Sequence, residues 1–256
     1  MQNHKKADPV STLVIQSHRT PLPAAWLQPC LASVRGWAMG NGFEYRFLGD
    51  EIFSPLPEAI LQKTADRLPA ASDLARLIAL QAALDEGYET VVWCDADFLV
   101  FAPDALSLPR ESYGLGREVW VQPGAGKLRA HVKVHNAFMF FRRGNPFLDF
   151  YRYAAQRMLE AHEGPMVPQF VGPKFLSAIH NMLTCPVVEQ AAMFSPATTR
   201  ALLAGGGPAL ELMLAKSIQP PAGVNLCSSL ADAGELSDDE LDQAVGLLLA
   251  RGSIVA

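Results

Sequence analysis

The sequence predicts an α/β fold with a mixed, mostly parallel central sheet flanked by helices. Two observations predict it. Residues 12–48 read strand, helix, strand, the opening of a parallel sheet. Further on, a strongly strand-like apolar run, Thr90-Val91-Val92-Trp93-Cys94, ends abruptly on Asp95-Ala96-Asp97. The length of 256 residues suits one large domain, expected to span 1–256, and a composition that is 50% hydrophobic and 18% charged can bury a sizeable core.

Each element follows from local chemistry. Thr12 to Gln16 is a short buried strand with a loop opening at Ser17-His18-Arg19. A helix from about Ala24 to Ala38 follows Pro23 and stops at Gly40-Asn41-Gly42. Glu44 to Leu48 alternates as a second strand, and Pro55 to Arg67 reads as helix. Ser72 is the expected N-cap of a stronger helix, with Leu77, Leu80 and Leu84 on its buried stripe and Gly87 at its end. The strand over 90–94 is expected to run on through Asp97 into Phe98-Leu99-Val100-Phe101. Two further strands, Glu118 to Gln122 and Ala137 to Phe141, flank a Gly-rich basic loop, Gly124-Ala125-Gly126-Lys127-Leu128-Arg129. Helices follow over Pro146 to Ala161 and from Gly172-Pro173 onward. Ser237-Asp238-Asp239-Glu240 is a capping box opening the last helix.

Bulk features narrow the function. The net charge of −5 argues against a generic nucleic-acid partner. Cys30, Cys94, Cys185 and Cys227 form no C-x-x-C pair, so they read as reduced, mostly buried thiols. The polar start, Met1-Gln2-Asn3-His4-Lys5-Lys6, has no signal-peptide core, and no apolar stretch approaches the roughly 18 residues of a membrane span. The expected location is the cytoplasm, with a peripheral position at the inner membrane face left open.

The acid pair carries the chemistry. Two residues apart on a strand share a face, so Asp95 and Asp97 are expected to aim both carboxylates at one ligand. The C-terminal edge of an open α/β sheet is where ligands bind. Adjacent carboxylates repel, and a hard divalent cation, Mg²⁺ or Mn²⁺, relieves the conflict while recruiting phosphate oxygens.

With Ala71-Ser72-Asp73-Leu74-Ala75-Arg76, Leu80 and Gly87-Tyr88 upstream of that D-x-D, the chain resembles the A-fold (GT-A) glycosyltransferases. The relatives it is similar to are the mannosyltransferases, the capsular-polysaccharide transferases and the glycogenin-like retaining enzymes. The resemblance spans roughly residues 10–180. It implies a GT-A fold whose residues 10–105 bind a UDP- or GDP-linked sugar and whose residues 106–256 form an acceptor half. It implies that Asp73 and Arg76 touch the donor sugar, Asp95 the ribose or metal, and Asp97 the metal. By the same likeness Asn136, in His135-Asn136-Ala137-Phe138-Met139, reaches the donor sugar. Gln169 and Gly172 lie at the start of a G-P-x-x-L helix, whose N-terminus suits an anion or a sugar hydroxyl. Gln16, Ser17 and Arg19 stand where the family seats the nucleotide. The late His that usually completes the metal shell is missing, and Asn225 in Pro220-Pro221-Ala222-Gly223-Val224-Asn225 stands in its place.

Other features admit two readings each. Lys127, Arg129, His131 and Lys133 form either a solvated loop or a basic lid over a diphosphate or an anionic acceptor. The run Phe138, Phe140, Phe141, Phe147, Phe150, Tyr151 and Tyr153 is either core packing plus a helix face or includes one ring on which a sugar stacks. The resulting expectation is a metal-dependent transferase, retaining by family likeness, that moves a sugar to a carbohydrate or other hydroxyl acceptor. If the reaction inverts, a carboxylate such as Glu163 or Glu189 would have to deprotonate the acceptor. The alternatives are a non-catalytic nucleotide-sugar or glycan binder, and a D-x-D phosphatase or nucleotidyltransferase.

Overall fold

A computed structural model describes residues 11–167 and 169–255; the polar start, Met1 to Lys6, lies outside them. In chain order the elements are β1 (Thr12–Ser17), α1 (Leu27–Gly40), β2 (Glu44–Leu48), α2 (Glu58–Lys63), α3 (Leu68–Glu86), β3 (Thr90–Cys94) and β4 (Phe98–Val100). Then come β5 (Tyr113–Gly124), β6 (Lys127–Arg142), α4 (Pro146–Ala161), α5 (Pro173–Leu183), β7 (Val187–Val188) and β8 (Ala191–Met193). The chain closes with α6 (Pro196–Leu203), α7 (Pro208–Lys216), β9 (Gly223–Asn225), α8 (Ser229–Asp232) and α9 (Asp238–Arg251).

The main sheet has the order β2-β1-β3-β6-β5-β7, and a smaller sheet has the order β4-β9-β8. β2, β1 and β3 run parallel, β6 is antiparallel to both β3 and β5, and β7 rejoins β5 in parallel. The expected mixed α/β architecture is therefore observed. Strand alternation sorts the core. Leu13, Ile15, Val91, Trp93, Met139 and Phe141 face one way, against Leu74 and Leu77 of α3 and Tyr151 of α4. Val14, Val92, Phe138 and Phe140 face the other way, against Val34 and Trp37 of α1 and Phe98 and Val100 of β4. A third cluster joins Leu27 and Cys30 of α1 to Val119 and Val121 of β5 and to the C-terminal helices α6, α7 and α9.

Several expectations hold closely. β2, α4 and the Ser237–Glu240 capping box stand where predicted, the box with both reciprocal bonds made. The four thiols are free, three of them buried. Most of the aromatic run packs inward, with Phe150 and Tyr153 exposed on α4. No helix among the described residues is long and apolar enough to cross a membrane.

Four expectations change. α3 begins at Leu68 with Pro69 in its first turn, so Ser72 is inside the helix and its hydroxyl donates back to the Leu68 carbonyl. The helix expected over 55–67 shrinks to α2. The apolar stretch over 90–101 is two strands in different sheets, parted by a turn closed by Phe98 N–H on the Asp95 carbonyl at 3.0 Å. The basic loop at 124–129 is the tip of a long hairpin, where Ala125 and Gly126 both take positive φ (46° and 79°) as a two-residue hairpin turn requires.

Candidate functional site

Asp95 and Asp97 occupy the turn between β3 and β4, not a continuous strand, and they line one cleft of about 1050 Å³. The turn is held from three sides. Asp95 N–H donates to the Ala137 carbonyl of β6 at 2.8 Å, and Gln16 Nε2 of β1 donates to the Asp95 carbonyl at 3.0 Å. Leu226 N–H, just past β9, donates to the Asp97 carbonyl at 3.0 Å. Side-chain direction is thus set by the turn and its clamps, and both acids come to line the same cleft by that route.

Behind the turn lies a buried charge network. Arg76 Nη1 donates to Asp95 Oδ1 at 2.9 Å and to the Asn136 carbonyl at 3.1 Å, while its Nη2 stands 3.2 Å from Asp73 Oδ1. Asn136 Nδ2 donates to the same Asp73 oxygen at 2.7 Å. The Arg76 guanidinium lies 5.3 Å from the Trp93 ring, and Trp93 Nε1 donates to Asp95 Oδ1 at 2.7 Å. Asp73 and Arg76 sit one turn apart on α3, so helix periodicity presents both to the cleft. Gly172 leaves no room beside them: a Cβ there would lie 2.5 Å from Asp73 Oδ2 and 3.0 Å from Asn136 Nδ2.

Asp97 is clasped separately. Asn225 Nδ2 donates to its Oδ1 and Ser228 N–H to its Oδ2, each at 2.7 Å. Asn225 Oδ1 in turn accepts Cys227 N–H at 3.0 Å, which fixes which end of the amide faces Asp97.

The electrostatics follow from burial. Burial pushes the Asp95 carboxyl up to about 6, against the pull of Arg76 and helped by Asp97. Burial also raises Asp73 and Glu118, with Arg76 and Lys133 respectively opposing. Arg76 is disfavoured by burial, yet Asp95 and Asp73 more than offset that and raise it. Seven carboxylates line the cleft against three fixed cations, Arg19, Arg76 and Lys133. A diphosphate entering this negative cleft needs a counter-cation.

The residues fit one on a definite condition. Among the described residues no group of three or more His, Cys, Asp or Glu side chains forms a metal cage. Asp95 Oδ2 accepts no bond from them, and carboxylate oxygens such as those of Asp97 have lone pairs beyond the ones Asn225 and Ser228 use. Two carboxylates plus substrate phosphate oxygens is a donor set Mg²⁺ and Mn²⁺ accept. The set therefore fits a cation carried jointly with a diphosphate.

Ser17, Arg19, Asp73, Arg76, Asn136, Gln169 and Asn225 line the same cleft. Gln16 departs from expectation: it has no exposed surface, and its amide braces Asp95 and Tyr45 instead of lining the cleft. Glu163 and Glu189 do not line it either, and Glu189 is paired through both oxygens with Arg117. Sequence reasoning singled out His131 and Lys133 as part of a basic loop but missed the β5 side of the opposite wall, where Glu118, Trp120 and Gln122 face them. The signal was present as a period-two polar series within a strand.

No known family pattern matches the chain, and no curated protein matches it. Among solved structures it is similar to a glycosyltransferase involved in the glycosylation of the major capsid of PBCV-1, at 14% identity and a TM-score of 0.48, covering 92% of this chain and 98% of that one. It is also similar to galactosyltransferase LgtC in complex with donor and acceptor sugar analogs, at 13% identity and a TM-score of 0.45, covering 92% and 95%. A weaker likeness, at a TM-score of 0.28, is to A197 from STIV, covering 65% of this chain.

Proposed function

We propose that the protein is a metal-dependent glycosyltransferase that moves a sugar from a nucleoside-diphosphate sugar to a hydroxyl acceptor. The observation that carries this reading is the meeting of Asp73, Arg76, Asp95, Asp97 and Asn136 in one acidic cleft beyond the C-terminal ends of β1 and β3. A bound Mg²⁺ or Mn²⁺ would neutralise the diphosphate as the bond to the sugar breaks.

The chain's own residues divide the remaining work. Asp95 and Asp97 anchor the cation-diphosphate unit, and Ser17 and Arg19 at the end of β1 receive the nucleotide. Asp73 and Asn136, pre-set by Arg76 and by the close packing of Gly172, hold the donor sugar's hydroxyls. Gln169, in a left-handed backbone conformation (φ 61°) just before α5, faces the same space. Retention at the anomeric carbon is the outcome that the resemblance to the glycogenin-like enzymes implies; Glu163 and Glu189, the bases considered for inversion, do not line the cleft. In this reading residues 10–105 form the donor half and 106–256 the acceptor half. Four free thiols suit the cytoplasm, where we place the enzyme.

One observation favours a second reading, a nucleotide-sugar binder without turnover. Both Asp97 oxygens already accept protein donors, and Asn225 offers Asp97 its nitrogen. Slow hydrolysis of UDP- and GDP-linked sugars in the presence of Mn²⁺ separates the two. Hydrolysis that disappears in Asp97→Ala supports the transferase; metal-dependent binding of the same donors without any hydrolysis or transfer supports the binder.

A further inference from the structure

We infer that the acceptor is an acidic saccharide, lying along one face of the β5–β6 hairpin with a sugar ring against Trp120 and its anionic groups on Lys127, Arg129 and Lys133. This rests on the transferase reading above and names the second substrate's class. The hairpin register pairs Glu118 with Lys133, Trp120 with His131, Gln122 with Arg129 and Gly124 with Lys127. Strand alternation puts these eight residues on one face. The opposite face carries Val119, Val121, Leu128 and Ala130, which pack into the C-terminal core.

The inner half of that face is the cleft wall: Glu118, Trp120, Gln122, His131 and Lys133 all line it. The outer half, with Arg129 and Lys127, continues beyond the cleft toward the hairpin tip and is exposed. The charge therefore reverses along one continuous surface. The cleft floor is rich in carboxylates, whereas the strip holds three fixed cations against Glu118 alone, in a chain whose net charge is −5. The Lys133–Glu118 contact is long, at 3.9 Å, and Lys133 is half exposed, so its charge remains available.

Length separates acceptor from donor. From residue 133 to 127 a strand advances ~20 Å, far more than one diphosphate spans and suited to several linked rings. Trp120 supplies the flat apolar surface a sugar ring stacks on. Part of it packs against the C-terminal core and part is exposed, whereas Trp26, Trp37 and Trp93 are buried. Gln122 and His131, 3.4 Å apart, add donors and acceptors for hydroxyls beside it. A cationic strip beside a tryptophan and two neutral polar groups is complementary to a polyhydroxylated anion.

The test uses calorimetry on the full chain at low salt, with hyaluronan tetrasaccharide, chondroitin sulfate tetrasaccharide and mannose 6-phosphate as probes, and chitotetraose and mannose as their neutral counterparts. At least one acidic probe is expected to bind ten times or more tighter than its neutral counterpart and to quench tryptophan fluorescence. The double variant K127Q/R129Q, altered only at exposed positions, is expected to lose most of that advantage, and Trp120→Ala to weaken binding about ten-fold. Acidic probes that bind no tighter than neutral ones overturn the inference. So does acidic binding indifferent to Trp120→Ala, which would mark the strip as a general anion surface. Mn²⁺-dependent nucleoside-diphosphate binding is measured on the same wild-type sample. If that fails, it is the transferase reading that falls; if it holds while the acidic probes fail, only the acceptor assignment falls.

Discussion

Asn225 turns its amide nitrogen, not its oxygen, toward Asp97: Nδ2 donates to Asp97 Oδ1 at 2.7 Å while the amide oxygen accepts Cys227 N–H at 3.0 Å. The residue standing where a late metal ligand was expected thus acts in this state as a second clamp on the D-x-D turn. Ligation through its oxygen requires the amide to turn over and Cys227 N–H to find another acceptor.

Removing Asp97 should therefore have two separable effects. Asp97→Ala leaves the Asn225 amide and Ser228 N–H without their acceptor, at a cost of about 1–3 kcal/mol measured by chemical denaturation. It also abolishes metal-dependent nucleotide binding. Asp97→Asn should recover part of the stability and none of the metal binding.

Arg76 is the only cation within reach of both Asp73 and Asp95 among the described ion pairs. Arg76→Met strands two carboxylates in a largely buried network and should cost roughly 3–5 kcal/mol in denaturant unfolding. Arg76→Lys should retain less than half of the stabilisation, since one ammonium cannot serve Asp73, Asp95 and the Asn136 carbonyl with a planar fork.

Gly172→Ala is a steric probe of the proposed sugar contacts, Asp73 and Asn136. Its Cβ would press on Asp73 Oδ2 at 2.5 Å, so Asp73 and Asn136 must shift. The folded protein should lose about 1–3 kcal/mol. Its donor hydrolysis should fall at least ten-fold with metal binding little changed, because Asp95 and Asp97 lie on the other side of Arg76. Equal loss of both functions would contradict the division of labour proposed for the cleft.

These positions were legible to different degrees. The acid pair could be found in the sequence from its spacing at a strand end, whereas Asp73 with Arg76, and Asn136, were found through the resemblance of their local motifs to the GT-A glycosyltransferases. The turn that splits the stretch 90–101 into two sheets could not, since Phe98 to Phe101 are as apolar as Thr90 to Cys94 and nothing local marks the change of sheet. Ser72 had an N-cap's chemistry but the wrong position, because Pro69 starts α3 one turn earlier. Gln16 was misplaced for a related reason. Its burial is decided by Tyr45 and Asp95, distant partners that no window around β1 contains. The hairpin wall was hidden by reading Gly124 to Arg129 as a loop, when Ala125-Gly126 alone makes the turn.

The pH dependence carries its own sign. Asp95 holds its proton up to about 6 in the folded protein, above its ordinary range, so between about 4 and 6 the unfolded chain releases that proton first. Metal-free wild type should then lose stability relative to Asp95→Asn as pH rises through that window, and level off above it. Metal and nucleotide binding, which need the ionised form, should strengthen as pH rises through the same range and reverse the loss. Parallel denaturation curves for the two proteins at pH 4.5, 5.5 and 7, with and without Mn²⁺ and UDP or GDP, give the comparison.

The most direct measurement is calorimetric titration of the wild-type protein with UDP and with GDP at pH 7, with Mn²⁺ and with the metal chelated. Binding of at least one nucleoside diphosphate, strengthened ten-fold or more by Mn²⁺ and lost in Asp97→Ala, is the predicted result. Binding that ignores the metal, or that survives Asp97→Ala unchanged, would contradict a cation shared between the Asp95–Asp97 turn and a diphosphate.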